Sequence, residues 1–384
     1  MIEFTHYFAS HDPSTIPSDQ KENLRRSLPN FLNMDPISSH NYGRSAGVFR
    51  RSHFTVSRLT HCLNKFLHLR TVKLYQLEHM GDKFLPILNA SAMKHTMTHL
   101  ELHGLRIVKD GHCLDLPGDS RLTHVALKGT LFCTYKVLKS FTTSQNLQVV
   151  RLSGCRALLD DDVKDLTKRL ERIKVLELND CSKLYAPEID CPTLEVLGLE
   201  RCPMLRDLTK IHCDNLRRTN LSHCSSFGDK DIEKFMKHHT KLEKISFEGC
   251  RGFTKIDVRS DCLKEINLGM CMKIQSCNIT AGGLTFLELG MCMKLENLYL
   301  DLQSIKTLDL SMLTVKNLTI LAPKLSTLNV SGCCKLTAMK GFDCPKLMEL
   351  DICGTNLSLK KLKLGRKTKI KHGGDGTDWS SPFR

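Results

Sequence analysis

Cysteine, histidine and aspartate are the side chains from which this chain could build chemistry: it holds 18 cysteines and 17 histidines in 384 residues, and a run Asp160-Asp161-Asp162. Their spacing argues against using them that way. Structural zinc wants close pairs such as C-x2-4-C. Here Cys333 and Cys334 are adjacent, and Cys181, Cys191, Cys202, Cys213 and Cys224 step by ten or eleven. A calcium loop needs alternating oxygen ligands, a turn glycine and a closing glutamate, and the aspartate run is better placed to start a helix. No G-x-x-x-x-G-K-S/T, H-E-x-x-H, G-x-S-x-G or G-x-G-x-x-G occurs. The expectation is no metal, no cofactor and no enzymatic activity.

The cysteines instead follow a repeat. LGMCMK occurs twice, inside LKEINLGMCMKI and LTFLELGMCMKL, 21 residues apart. Both copies fit L-x-x-L-x-L-x-x-C. That template, with some loose members, fits from Leu69, Met97, Leu122, Leu147, Ile173, Leu194, Leu216, Leu242, Leu263, Leu284, Ile305, Leu325 and Leu347. Self-similarity at 20–28 residues marks a solenoid. The ninth position is Cys155, Cys181, Cys202, Cys224, Cys250, Cys271, Cys292 and Cys333, and otherwise Leu77, Leu105, Thr130, Leu313 and Thr355. A second ladder falls three residues before the next repeat, at Cys191, Cys213 and Cys344, with Ala322 in the same place. Buried cysteine behaves as a small hydrophobe, and burial raises the thiol pKa, so neither ladder reads as nucleophilic.

The alternating x-L-x-L-x segment predicts a short strand with one buried face, and stacked copies predict a parallel sheet with strands about 4.8 Å apart. The longer returns, LLDDDVKDLTKRLERI (158–173) and FGDKDIEKFMKHHTKL (227–242), place apolar residues at helical spacing behind aspartates suited to a helix start. The 20–22-residue repeats leave too little chain for a full helix, and Ile256-x-Val258, Leu298-x-Leu300-x-Leu302 and Leu318-x-Ile320 predict strand-like returns. The expected fold is an α/β horseshoe solenoid of about 13 repeats over 61–364, helical in its early returns and strand-like later. An N-terminal segment, 1–60, precedes it, and a basic, glycine-containing disordered tail, 365–384, follows.

A solenoid is one long domain, so 384 residues need no further division. The start, MIEFTHYFASHD, has no basic-then-apolar signal pattern, and no apolar run is long enough to span a membrane. Sequons at Asn220 and Asn329 fall inside expected strands. With cysteines that follow the repeat, these features point to a reducing interior, cytoplasmic or nuclear. The net charge of +15 is partly local, since LKKLKLGRKTKIKH (359–372) holds seven Lys/Arg. That stretch suits a nuclear signal, a phosphate contact or simply a solvated end to the array.

The remaining candidate site is the concave face, built from the third, fifth and seventh residue of each repeat. Early repeats offer Lys73, Tyr75, His99, Glu101, His103, His124, Lys128 and Arg151; later ones offer Glu177, Glu200, Glu248, Glu288 and Asp309 with several asparagines. The basic, His-rich start and acidic, Asn-rich continuation suit recognition of a protein. Met270 and Met291, from the doubled motif, end adjacent rungs and are expected to form a small apolar landing surface.

The unit LQVVRLSGCRALLDDDVKDLTKRLERI resembles the cysteine-containing leucine-rich repeat, and its mixture with short units such as DCPTLEVLGLERCPMLRDL resembles the long, plant-type F-box/leucine-rich-repeat proteins, over about residues 69–364. The resemblance implies a substrate receptor of a Skp–cullin–F-box ubiquitin ligase, with the repeats holding the target and an F-box docking the Skp adaptor. The N-terminal segment departs from that pattern. Leu28-Pro29 and Val48-Phe49-Arg50-Arg51 stand where an F-box has comparable residues, but the late Trp is missing and apolar density is low. The alternative is a non-catalytic repeat scaffold or inhibitor with no ligase attached, monomeric outside its complex. A nucleic-acid contact through the basic stretch ranks below both.

Overall fold

The computed structural model describes residues 70–74, 84–104, 116–117, 120–129, 138–139, 141–359, 362, 364–372 and 379–380. The segment 1–60 and Tyr75 lie outside them. The chain divides into two compact units, Met1–Leu158 with Arg169–Ile173, and Leu159–Lys168 with Lys174–Arg384.

In the first unit four parallel strands, Thr71–Leu74, His99–His103, His124–Lys128 and Val149–Arg151, pair in sequence order. Their register sets Val72, Leu100, Val125 and Val150 in one buried row. Helix α1 (Phe84–Ala90) contributes the buried Leu85 and Leu88.

The second unit repeats the plan. Front strands of three residues, from Val175–Glu177 to Glu349–Asp351, bury their middle residue and leave the flanking two on the solvent side, save that Gly198 is also buried. The first, fourth, sixth and ninth residues of the repeat fill the core, as Leu263, Ile266, Leu268 and Cys271 do; each fully buried leucine contributes about 2 kcal/mol. Every template match carries a front strand.

The returns differ as their lengths require. Helix α2 (Asp160–Arg169) buries Val163 and Leu166, and helix α3 (Asp229–His238) buries Ile232 and Phe235. The later returns are parallel back strands, Lys255–Arg259, Ser276–Ala281, Asn297–Leu302, Asn317–Leu321 and Met339–Asp343. A helix advances about 1.5 Å per residue and a strand about 3.3 Å, so a strand crosses the same edge with roughly half the chain. The sequence spacing of 26 against 21 residues is that difference.

Two features depart from the expectation. The tail expected to be disordered holds strand Lys369–Lys371, which pairs parallel with Glu349–Asp351, and strand Trp379–Ser380 pairs antiparallel with it. Lys-Ile-Lys offers one apolar residue to a template that demands three, and a buried Thr368, donating to Leu347 O at 2.9 Å, stands near where an opening leucine would. Secondly, the front strands of the second unit form two sheets. One ends at Phe286–Glu288 and the next begins at Thr307–Asp309.

Candidate functional site

The turn leaving each front strand determines which side chains face solvent. The sixth residue's N–H donates to the fifth residue's carbonyl in the next repeat, as Leu268 does to Glu288 (2.9 Å). The eighth residue's N–H donates to the seventh residue's carbonyl, as Met270 does to Gly290 (2.8 Å). To reach that acceptor the eighth residue turns left-handed. Every positive φ among the described residues falls at this position: Gly104, Gly129, Gly154, Asp180, Arg201, His223, Gly249, Met270, Met291, Met312, Gly332 and Gly354. Glycine adopts that conformation freely, whereas other residues pay about 1–2 kcal/mol.

The ninth-position thiol does more than fill space. Its S–H reaches the sixth residue's carbonyl in the preceding repeat: Cys202 to Leu178 (3.2 Å), Cys224 to Leu199 (3.0 Å), Cys250 to Leu221 (3.1 Å), Cys271 to Phe247 (3.1 Å), Cys292 to Leu268 (3.1 Å) and Cys333 to Leu310 (3.0 Å). Burial pushes the thiols up, Cys224 and Cys333 to about 11 and Cys250 and Cys292 to about 12, so they are poor nucleophiles. Among the described residues no group of three or more His, Cys, Asp and Glu is placed to hold a metal ion.

In the first unit the structure brings the sequence-derived residues together. Lys73 lies beside Glu101, and His99 beside His124, one strand apart. The His99 and His124 rings stack with centroids 4.0 Å apart. Thr98 Oγ1 gives its hydrogen to Arg70 O (3.1 Å), and Thr123 Oγ1 to Thr98 O (3.1 Å), so each must accept from its histidine's Nδ1, 2.8 Å away in both cases. That assigns Nδ1–H tautomers and leaves Nε2 as an acceptor on each ring. Burial, and then Arg151, hold the His124 imidazole below its ordinary pKa. Glu101 meets His103 Nε2 at 2.6 Å and Lys128 Nζ at 3.6 Å. Its partial burial would raise the carboxyl, but His103, Lys128 and Lys73 together outweigh it and hold the pKa below the ordinary value. One carboxylate stands among Lys73, Lys128, Arg151 and three imidazoles. Tyr75, expected here, lies outside the described residues.

In the second unit most acidic and amide residues of the face have a structural task that sequence reading missed. The fifth residue accepts the seventh residue's N–H: Asn220 from Ser222 (3.0 Å), Asn267 from Gly269 (2.9 Å), Glu288 from Gly290 (2.7 Å), Asp309 from Ser311 (2.8 Å), Asn329 from Ser331 (2.9 Å) and Asp351 from Cys353 (3.0 Å). Where the fifth residue is Gly198, Asn179 of the preceding repeat reaches into the space and takes the Glu200 N–H at 2.9 Å; a Cβ on Gly198 would lie 2.8 Å from that oxygen. Glu200 and Glu248 each accept from the next repeat's asparagine, Asn220 (3.0 Å) and Asn267 (2.9 Å). Arg201 bridges Glu200 (2.6 Å) and Asp180 (2.7 Å). Glu177 stands in the fifth position on the same face.

Met270 and Met291 end adjacent rungs and are exposed, and Met312 extends the column by one rung. Met312 was hidden in the sequence because its repeat carries Leu313 in place of the cysteine that made the doubled motif visible.

No family model matches the chain, and no curated protein matches it. Among solved structures it is similar to a chain of the yeast Rad7–Elc1 complex, at 15% identity over 82% of this chain and 77% of that one, with a TM-score of 0.35. It is also similar to an internalin, inlF, from Listeria monocytogenes, at 12% identity over 83% and 88%, TM-score 0.39. A third is a chain of the Toll–Spatzle complex from Drosophila, at 12% identity over 79% of this chain and 49% of that one, TM-score 0.39. The leucine-rich-repeat solenoid rests on this chain's own strand register and turn ladder. No helix among the described residues is long and apolar enough to cross a membrane.

Proposed function

We propose that the chain is a protein-binding repeat receptor and, at finer grain, the target-recognition component of a Skp–cullin–F-box ubiquitin ligase, working in the cytosol or nucleus. The observation that carries the binding reading is the solvent face of the front strands. Its side chains are held in fixed columns by turn hydrogen bonds, cationic and His-rich in the first unit and acidic in the second. Ordered, part-buried polar columns are preorganised for a partner and lose little entropy on binding. The ligase role is supported by the resemblance of the repeats alone, and the reading gives the chain no chemistry of its own.

The test is direct binding of the purified chain, with and without residues 1–60, to the Skp adaptor. Saturable binding that needs residues 1–60 supports a divergent F-box and makes the front face a target site. Absence of binding by the full chain removes the ligase reading and leaves a repeat scaffold.

A further inference from the structure

We propose that the seam between strands Phe286–Glu288 and Thr307–Asp309 is an anchoring point on the front face, and that it takes a protein segment carrying a bulky apolar residue flanked by lysines or arginines. The inference rests on the protein-binding reading above and gives the chemistry of the partner.

The seam is a break in an otherwise unbroken pattern. At every other junction of consecutive front strands in the second unit, the sixth-position N–H is bonded to the next strand, as in Leu199 to Asn220, Phe247 to Asn267 and Val330 to Asp351. The junctions from Ile173 to Leu347 also share the eighth-position bond and the pair at the second and third positions, such as Ser326 and Thr327 to Lys306 O. No such bond joins Leu289 or Met291 to the strand at Thr307–Asp309, and the two strands belong to different sheets. The back strands of the same repeats, Asn297–Leu302 and Asn317–Leu321, remain paired. The break in pairing is therefore confined to the front strands. Leu287, the core residue at the seam, is 8% exposed, against 0% for Ile266 and Leu328 in the same position.

Apolar surface gathers where the ladder stops. Phe286 is 49% exposed, Met291 54% and Met312 71%, and the exposed Met293 donates its N–H to Met291 O at 3.0 Å. Both rim methionines hold left-handed backbone at a position where six of the repeats use glycine. Their repeats thus carry strain that the turn does not need, and in exchange present unbranched, polarizable side chains that adapt to an incoming surface. The charge is one-sided. The third, fifth and seventh residues of the two rungs are Phe286, Glu288 and Gly290, then Thr307, Asp309 and Ser311. They supply two carboxylates and no cation. Each carboxylate fixes one oxygen on its own turn N–H and leaves the other for a partner's cation. Lys294 and Lys306 of these repeats stand outside those positions. Exposed apolar side chains on two rungs that carry two carboxylates select an apolar anchor with basic neighbours, by burial and by charge together.

The test uses the full chain with 13C-methyl-labelled methionines and three synthetic peptides: Lys-Lys-Phe-Lys-Lys, its counterpart with glutamates for lysines, and its counterpart with alanine for phenylalanine. The first should shift the Met291 and Met312 methyl signals saturably and leave Met236, on helix α3, unmoved. The glutamate peptide should not shift them, and the alanine peptide should bind about tenfold more weakly or worse. Met291→Gly with Met312→Gly should weaken binding of the first peptide by at least about tenfold. Glycine suits left-handed backbone, so this variant keeps its circular dichroism and melts no lower than the parent chain, which excludes unfolding as the cause. Glu288→Lys should do the same through charge. Equal binding of the lysine and glutamate peptides, no saturable shift, or indifference to the glycine pair overturns the seam. If the adaptor still binds, the receptor reading survives that failure. If the peptide binds and the adaptor does not, the seam stands without the ligase.

Discussion

Single positions in this array are decided by what the repeat demands of them. Residue 239 stands in the second buried ladder, where other repeats place Cys191, Cys213, Ala322 and Cys344, but it is a histidine. Burial lowers its pKa to about 4, against a weaker opposing bond to Phe235 O at 2.8 Å, and His238, His212 and Asp214 are the charged or titratable groups that act on it. Its Nε2 has no partner. The folded pKa lies below the unfolded value of about 6.5, so the unfolded chain takes the proton first as pH falls. The stability due to a neutral His239 is therefore complete above pH 6.5 and lost on the way down to about pH 4, a span of about 3 kcal/mol. Urea midpoints measured from pH 7 to 4 should fall accordingly, and His239→Leu should flatten most of that slope. The eighth position gives a second expectation. Met312 is exposed and left-handed, so Met312→Gly should raise stability by about 0.5–1 kcal/mol, the relieved strain less the entropy of glycine. Gly154→Ala should lower it by about 1–2 kcal/mol, because the new Cβ is strained and sits 3.2 Å from Gly129. Thermal melts of the two variants should move in opposite directions.

Elements are joined through side chains that a sequence reading assigned to one element alone. The aspartates opening the helical returns were expected to cap them, and Asp162 does accept the Leu159 N–H at 2.8 Å. Asp160 has a different task. Its two oxygens take the Tyr185 and Ala186 N–H groups of the next repeat, both at 2.9 Å, and Asp229 accepts the Thr254 (2.7 Å) and Lys255 (3.0 Å) N–H groups on Oδ1 alone. Asp160→Ala should cost about 1 kcal/mol, held down by solvent exposure, and amide exchange at Tyr185 and Ala186 should quicken while α2 stays protected. Unchanged exchange there would refute the clamp. The leucine register, the cysteine ladders and the split between helical and strand returns were legible because each imposes a residue type at a fixed spacing. The fifth-position acceptors were not, because Asn267, Glu288 and Asp309 have the composition of any solvated strand face. The left-handed column was half legible, through the six glycines that stand in it. Nothing in the pattern marks the seam: Leu284 and Ile305 are 21 residues apart, as Leu263 and Leu284 are.

An array whose repeats touch only their neighbours is held together by nearest-neighbour terms. Removing the bonds of one junction lowers cooperativity there and leaves the rungs on either side their own stability. In the second unit the front junction at Leu289 and Met291 has lost its ladder, and the two sides of the seam are joined instead by the back strands Asn297–Leu302 and Asn317–Leu321 and by side-chain bonds from Ser304 to Gly282 O (2.7 Å) and Thr314 to Met293 O (3.0 Å). Unfolding in urea should therefore pass through a species that keeps residues 174–292 and has lost 305–371. The variant Leu328→Ala, which empties a fully buried site beyond the seam, should cost about 3 kcal/mol and widen the urea range of that species. Hydrogen exchange followed through the transition gives the readout. The amides of Leu310, Met312, Val330 and Gly332 should open at lower urea than those of Leu199, Leu221 and Leu268, and the gap should grow in the variant. A single midpoint for all of them, in both proteins, would mean that the back strands and the Ser304 and Thr314 bonds bind the two stretches into one cooperative body. The seam would then be a local break in front-strand pairing with no consequence for folding, while its apolar rim and paired carboxylates would still stand as a docking surface.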